Sequence, residues 1–231
     1  MLIDLHVHTV RGSSDSSLKT DEMVEEAARA GLDGVCLTEH RGPWDRHELV
    51  ALQQRHEGLL LLNAMEVETT FGHLTVFGLD RFVGGIHDPV ALRRVADAHG
   101  AFVVLAHPFR YFLRQPEQNL LYRGQRSIPD ALEAIAEHPA FALVDAIEVS
   151  NAGTSPAENA LALEVARYLG KPTVGGSDAH STHGLGQSVT VFDAPITSAA
   201  EFMEALHGCR FHAAVRATDG TLTHAGSHAP A

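Results

Sequence analysis

Two short patterns in this chain could hold a metal ion: His6-Val7-His8 and, far along the chain, Asp178-Ala179-His180. Neutral imidazole and carboxylate are donors that suit Zn, Mn and Fe. In an extended strand, residues i and i+2 leave the same face, so each pattern presents two donors together. Both follow apolar runs of strand length, Leu2 to Leu5 and Pro172 to Gly176. Further apolar runs end the same way. Gly34 to Thr38 leads into Glu39-His40, Leu59 to Val67 ends around Glu66 and Glu68, and Phe102 to Ala106 leads into His107-Pro108. A single HxH is a chance pair. Repeated at several strand ends, the pattern predicts a metal site, and the residues alone point to His6, His8, His40, His107, Asp178 and His180.

Strands must bring these ends together. Strand-like and helix-like segments alternate along nearly the whole chain, the pattern of a mainly parallel sheet with crossover helices. The spacing predicts helices from Thr20 (read as an N-cap) to Gly31, over Leu49 to His56, Pro89 to His99 with Gly100 ending it, Ile128 to His138, Ala157 to Leu169, and Ser198 to His207. A strand over His73 to Leu79 follows Gly72, and Val144 to Val149 is a strand ending in Ser150-Asn151. In a barrel of parallel strands all C-terminal ends converge on one face. Residues 12–18 form a polar loop, residues 111–126 an irregular insertion, and the region from about 216 to 231 an expected poorly structured tail.

Taken in order, Asp4-Leu5-His6-Val7-His8-Thr9, Asp15, Leu37-Thr38-Glu39-His40, Glu66, His73, Ala106-His107-Pro108-Phe109-Arg110 and Gly176-Ser177-Asp178-Ala179-His180 resemble the PHP (polymerase and histidinol phosphatase) family. The chain looks closest to its short bacterial stand-alone phosphoesterases, over residues 2 to about 212. The resemblance implies an α/β fold, a distorted (β/α)7 barrel like a TIM barrel, with residues 1–215 as the phosphoesterase domain. It also implies two or three divalent ions (Zn, Mn or Fe). One would be held by His6, His8, Glu66 and Asp178, a second by Glu66, His73 and His107, and a third by Asp15, His40 and His180. Asp15, Glu66 and His73 rest on the resemblance. The sequence departs from the family pattern in having Glu39 where the family usually has Asp, and Ala64 where many relatives have Gly.

The implied activity is hydrolysis of a small phosphate ester, a nucleotide or other phosphomonoester, by a metal-bound hydroxide. Arg110 is the candidate phosphate clamp, because a guanidinium matches phosphate oxygens in a bidentate way; Arg41 is a weaker candidate. Glu148 and Asn151 read equally as support or as direct contacts. Two other readings compete. An amidohydrolase-like C–N or ester hydrolase usually bridges its metals with a lysine, and Lys19 and Lys171 sit at no convincing strand end. A non-catalytic metal-dependent binding module would need no intact ligand set.

Composition narrows the setting. A net charge of -12 argues against long nucleic acid as a partner and for a small phosphorylated substrate. No apolar run approaches a membrane span, no basic leader opens the chain, and two distant cysteines, Cys36 and Cys209, fit a reducing, cytoplasmic setting. Ten of the 16 histidines fall outside the expected ligand set, and oligomeric state is not legible.

Overall fold

The computed structural model describes residues 1–125, 128–217 and 219–226. Ten strands, β1 (Leu2–Val7), β2 (Gly34–Glu39), β3 (Leu60–Thr69), β4 (Gly72–Phe77), β5 (Phe102–Leu105), β6 (Ala146–Asn151), β7 (Thr173–Gly176), β8 (Ser188–Phe192), β9 (Phe211–Arg216) and β10 (Leu222–His224), form one sheet. Its order is β10-β9-β8-β1-β2-β3-β4-β5-β6-β7. Among the described residues six α-helices accompany it: α1 (Thr20–Arg29), α2 (Arg46–Arg55), α3 (Pro89–His99), α4 (Leu132–Ala136), α5 (Pro156–Leu169) and α6 (Ala199–His207).

The sheet curls strongly. At one end of the order, β7 returns to β1 and β8: Val7 bridges Ala179 in parallel, the Asp178 amide donates to the His6 carbonyl at 2.7 Å, and the Gly175 amide donates to Thr190 Oγ1 at 2.9 Å. Two glycines permit this approach. A Cβ on Gly175 would fall on the Val189 carbonyl oxygen, and one on Gly176 on the His6 Cβ. One buried apolar cluster takes residues from every strand from β1 to β8 and from α6, including Leu5, Cys36, Phe77, Phe102, Val174 and Phe202. A sheet wrapped around its own core produces such a cluster.

The strand pairing is more mixed than a mainly parallel sheet. β1–β2–β3 and β5–β6–β7 are parallel, whereas β4 runs antiparallel to both β3 and β5. Only Thr70 and Phe71 join β3 to β4, too few residues for a crossover. The C-terminal strands β8, β9 and β10 are antiparallel as well. Helix ends follow local chemistry. Asp45, Asp88 and Ser155 cap α2, α3 and α5 through side-chain oxygens, so α2 begins earlier than the apolar spacing suggested. Thr20 is the first helical residue of α1 and Lys19 its cap. The helix expected over 128–138 shrinks to α4, because Pro129 and Pro139 bracket it and Ala131 is extended. The expected loose tail also needs revision: Leu222–His224 pair with Ala214–Arg216, while residues 218 and 227–231, like Arg126 of the insertion, lie outside the described residues.

Candidate metal centre

β1 sets the frame. Ile3, Leu5 and Val7 are buried apolar residues, and the alternate positions are Asp4, His6 and, just past the strand, His8, also buried. Asp4 is structural: its carboxylate accepts from the amides of His6, Ser177 and Gly186. Burial pushes it up to about 6 against those hydrogen bonds. The Ser177 bond and the Asp178-to-His6 bond aim the segment after β7 at the end of β1, and Asp178 takes a left-handed φ of 56° there. His107 follows β5 at φ 29°. Non-glycine residues rarely adopt positive φ, and such strain persists where surrounding contacts enforce it.

These strand ends gather the nine expected ligands. His6 Nε2 lies 3.3 Å from Glu66 Oε1 and 3.4 Å from Asp178 Oδ1. His8 Nε2 lies 3.3 Å from Glu66 Oε2 and 3.2 Å from Asp178 Oδ1. Next to this group, Glu66 Oε1 is 3.0 Å from both His73 Nδ1 and His107 Nε2. Glu66 and His73 meet because Glu66 pairs with Thr75 and Glu68 with His73 across β3–β4, making them diagonal neighbours on one face. Glu68 is exposed and pairs with Arg123, so Glu66 is the strand-end carboxylate that enters the cluster. On the outer side, Asp15 Oδ2 is 3.3 Å from both His40 Nε2 and His180 Nε2. The polar loop delivers Asp15 through bonds from the Ser17 and Leu18 amides to the His180 carbonyl and from Ser16 Oγ to the His8 carbonyl.

Hydrogen bonds to the far side of three imidazoles decide which nitrogen faces inward. The Glu148 carboxylate, an acceptor, takes the His6 Nδ1–H at 3.0 Å. The Asp178 carbonyl takes the His180 Nδ1–H at 2.9 Å. Ser13 Oγ donates to Glu39 Oε2 at 2.7 Å and accepts from the His40 amide. With its one proton spent on Glu39, Ser13 must accept from His8 Nδ1–H at 3.0 Å. In all three rings Nδ1 therefore holds the outward-bonded proton and Nε2 is the nitrogen turned toward the cluster, the one a metal-bound histidine would offer. Ser13 is a residue that sequence reading missed; a small polar residue in a Ser-rich loop carries no signal. Glu39 is held by Thr9, Ser13 and Trp44 Nε1, and Gly12 leaves room for its longer side chain, since a Cβ there would lie 2.6 Å from Glu39 Cγ.

The residues present fit divalent ions. His6 Nε2 and His8 Nε2 are buried without any hydrogen-bond partner, an arrangement costly for groups that serve no ligand. Donors about 2.0–2.2 Å from a shared tetrahedral ion stand roughly 3.3–3.6 Å apart, close to the separations around His6, His8, Glu66 and Asp178. Electrostatics agree. Burial would raise Glu66 and Asp178, yet the charge of His6 and its neighbours holds both carboxylates well below their ordinary range. Reciprocally, burial lowers His8, but the facing Asp178 and Glu66 carboxylates push it up to about 9. His107 and His40 are lowered, in both cases chiefly by burial. Buried carboxylates here demand positive charge, which protons supply in the metal-free chain and cations would supply in their place. His6, His107 and Glu148 form another possible ligand group, but His6 Nδ1 and the His107 amide are already bonded to that carboxylate.

Arg110 stands in the site, though more engaged than a free clamp. Its Nη2 donates to Asp178 Oδ2 and to Asn151 Oδ1 at 2.7 Å. Gly153 makes space for it, since a Cβ there would lie 2.8 Å from Nη2. Glu148 and Asn151 take the supporting role: Glu148 Oε2 accepts from the His107 amide and from Asn151 Nδ2. Arg41 is exposed. His212 stacks on His224 at 3.6 Å, across β9 and β10 and outside the cluster. Neither lysine enters: Lys171 Nζ donates to the Val144 carbonyl and Lys19 to Glu22.

Residues 4–88 match the PHP domain family and residues 156–208 the PHP-associated family. No curated protein matches the sequence. Among solved structures, PsfC from Pseudomonas syringae PB-5123 is similar at 22% identity and a TM-score of 0.59, over 87% of each chain. A two-domain protein from Bacteroides vulgatus, containing a predicted PHP-like metal-dependent phosphoesterase, is similar at 24% identity and a TM-score of 0.62; the match covers 92% of this chain but 64% of that one. Endonuclease Q, in complex with a 27-mer duplex bearing an abasic lesion at its active site, is similar at 18% identity and a TM-score of 0.53, over 90% of this chain and 57% of that one. This last likeness corrects the expectation that a chain of this charge has a small substrate and no long nucleic acid. The same fold presents a duplex to an active site in that protein, and net charge is a sum over the whole surface that does not set the potential at one cluster.

Proposed function

From a chain that belongs to the PHP family, we infer a metal-dependent phosphoesterase acting at the nine-residue cluster. The observation that carries this reading is the pair of buried, partnerless imidazole nitrogens, His6 Nε2 and His8 Nε2, facing Glu66 and Asp178. His6, His8, Glu66 and Asp178 would hold one ion; Glu66, shared, would hold a second with His73 and His107; Asp15, His40 and His180 would complete a third position. Bound divalent ions supply Lewis-acid charge and acidify a water for attack on phosphorus.

The chain's own groups do the rest. Glu148, Ser13 and the Asp178 carbonyl hold protons on the Nδ1 atoms of His6, His8 and His180 and keep each Nε2 open. Asp178 and Asn151 fix Arg110 through Nη2, and its Nη1 makes no hydrogen bond among the described residues. That edge is available to neutralise phosphoryl oxygens as charge develops. The substrate in this reading is a phosphate ester, borne either by a small molecule or by a nucleic-acid strand. No lysine stands among the donors, which weighs against an amidohydrolase that bridges its ions with one. The setting we infer is cytoplasmic: both described cysteines are free, and among the described residues no helix is long and apolar enough to cross a membrane.

Elemental analysis of the purified protein, paired with phosphate release from nucleotides, small phosphate esters and phosphorylated oligonucleotides with added Mn or Zn, tests the reading. We expect two or three ions per chain and metal-dependent release. A protein that takes up no metal on reconstitution, or one fully loaded that releases no phosphate from any of these, refutes it.

A further inference from the structure

Beside the cluster lies a cavity of about 190 Å³. His73, His107 and Arg110, which belong to the candidate metal centre, line it together with Phe71, Leu105, Pro108, Leu120 and Leu121. Tyr111, held at a left-handed φ of 67°, also lines it. Asn119 donates to the carbonyls of Pro108 and Arg110 and accepts from the Tyr122 amide, so both of its N–H donors are spent. Gln118 also lines the cavity, and its side chain makes no hydrogen bond among the described residues. The cavity thus brings metal-centre side chains and apolar side chains together, with the exposed amide of Gln118 uncommitted, a combination that orients a ligand in one direction.

We propose that this cavity receives an aromatic ring on the alcohol side of the phosphate ester, so that ring-bearing esters are the preferred substrates. The inference rests on the phosphoesterase reading. The volume equals the share of about six water molecules in the liquid, which suits one flat ring against the apolar lining. The ring is an aryl group or a nucleobase, and the nucleobase can come from a free nucleotide or a strand end.

Matched pairs separate these sources: phenyl phosphate against glycerol phosphate, 5′-AMP against ribose 5-phosphate, and a 5′-phosphorylated dinucleotide with and without its terminal base. We expect at least one pair to favour the ring by about tenfold or more in kcat/KM, the scale on which apolar pockets discriminate. Leu120→Trp, which fills the cavity, should abolish that preference. Tyr111→Ala, judged alongside in case the larger side chain disturbs folding, should raise KM for the ring-bearing ester alone. A readout without turnover is calorimetry: phenylphosphonate should bind the metal-loaded protein more tightly than methylphosphonate, and Leu120→Trp should remove the difference. Hydrolysis with no ring preference in any pair, or a preference that survives Leu120→Trp in folded protein, overturns the inference and leaves the phosphoesterase reading standing. Absence of hydrolysis with every ester defeats that reading instead.

Discussion

Replacing Glu148 with Gln removes one acceptor at a place where three donors converge. In the native protein Glu148 Oε1 accepts from His6 Nδ1–H at 3.0 Å, and Oε2 accepts from the His107 amide at 2.8 Å and from Asn151 Nδ2 at 2.9 Å. Asn151 cannot turn over to help, because its Oδ1 already accepts from Arg110 and Gly153. A glutamine has one accepting end. If its oxygen faces His107 and Asn151, its NH₂ meets His6 Nδ1, which must then carry the lone pair. The His6 proton moves to Nε2 and closes the atom that faces Glu66 and Asp178. Loss of such an outer contact lowers metal affinity by about 10- to 100-fold, or roughly 1.4–2.7 kcal/mol. If the oxygen faces His6 instead, the ligand survives but two buried donors meet an NH₂, at about 1–3 kcal/mol of folding stability for each unmet group. Calorimetric titration of chelator-treated Glu148→Gln with Zn, together with urea unfolding of the metal-free protein, reads both branches. Wild-type affinity within twofold combined with wild-type stability would refute the reasoning, because neither orientation permits it.

The narrow fit at β7 makes Gly176→Ala costly. The added Cβ would fall on His6 Cβ and stand 2.9 Å from Glu148 Oε1; overpacking of about 1–3 kcal/mol, seen in the urea midpoint, should come with reduced metal content. Glu158 offers a pH signature away from the centre. Burial would raise it, but bonds from Ser155 Oγ and the Leu113 amide, with Arg114 nearby, hold it below its ordinary 4.5. A depressed carboxylate stabilises the fold above that value and loses the contribution as pH falls through its lower native one. The stability gap between wild type and Glu158→Gln should therefore be widest near neutrality and narrow below about pH 4.5; a gap that does not change with pH would count against the assignment.

Much of the candidate site was legible because strand periodicity and donor chemistry coincide. His6 and His8 face one way for the same reason that Ile3, Leu5 and Val7 face the other. Strand-end histidines stood out against apolar runs. What could not be read is what long-range packing supplies. Nothing near Ser13 in the chain signals that its hydroxyl fixes the His8 tautomer, and Gly175 and Gly176 look like any glycine pair until β8 and β1 lie against them. Glu66 and Glu68 are indistinguishable in a strand-end pattern; the β3–β4 register and the Arg123 ion pair separate them. The antiparallel β4 was hidden because a two-residue turn reads much like a loop. The correction over nucleic acid has a similar root: a net charge says nothing about where the charges sit.

The return of β7 to β1 has a consequence in time. His6 and His8 leave the ribosome early, but Asp178 and His180 follow only about 170 residues later. Throughout that interval the first strand can pair with β2 while its other edge waits for β8. Contacts of such sequence separation form slowly, so for much of synthesis His6, His8 and Glu66 wait for Asp178, the last member of their group. That group is therefore completed only when β7 returns to β1.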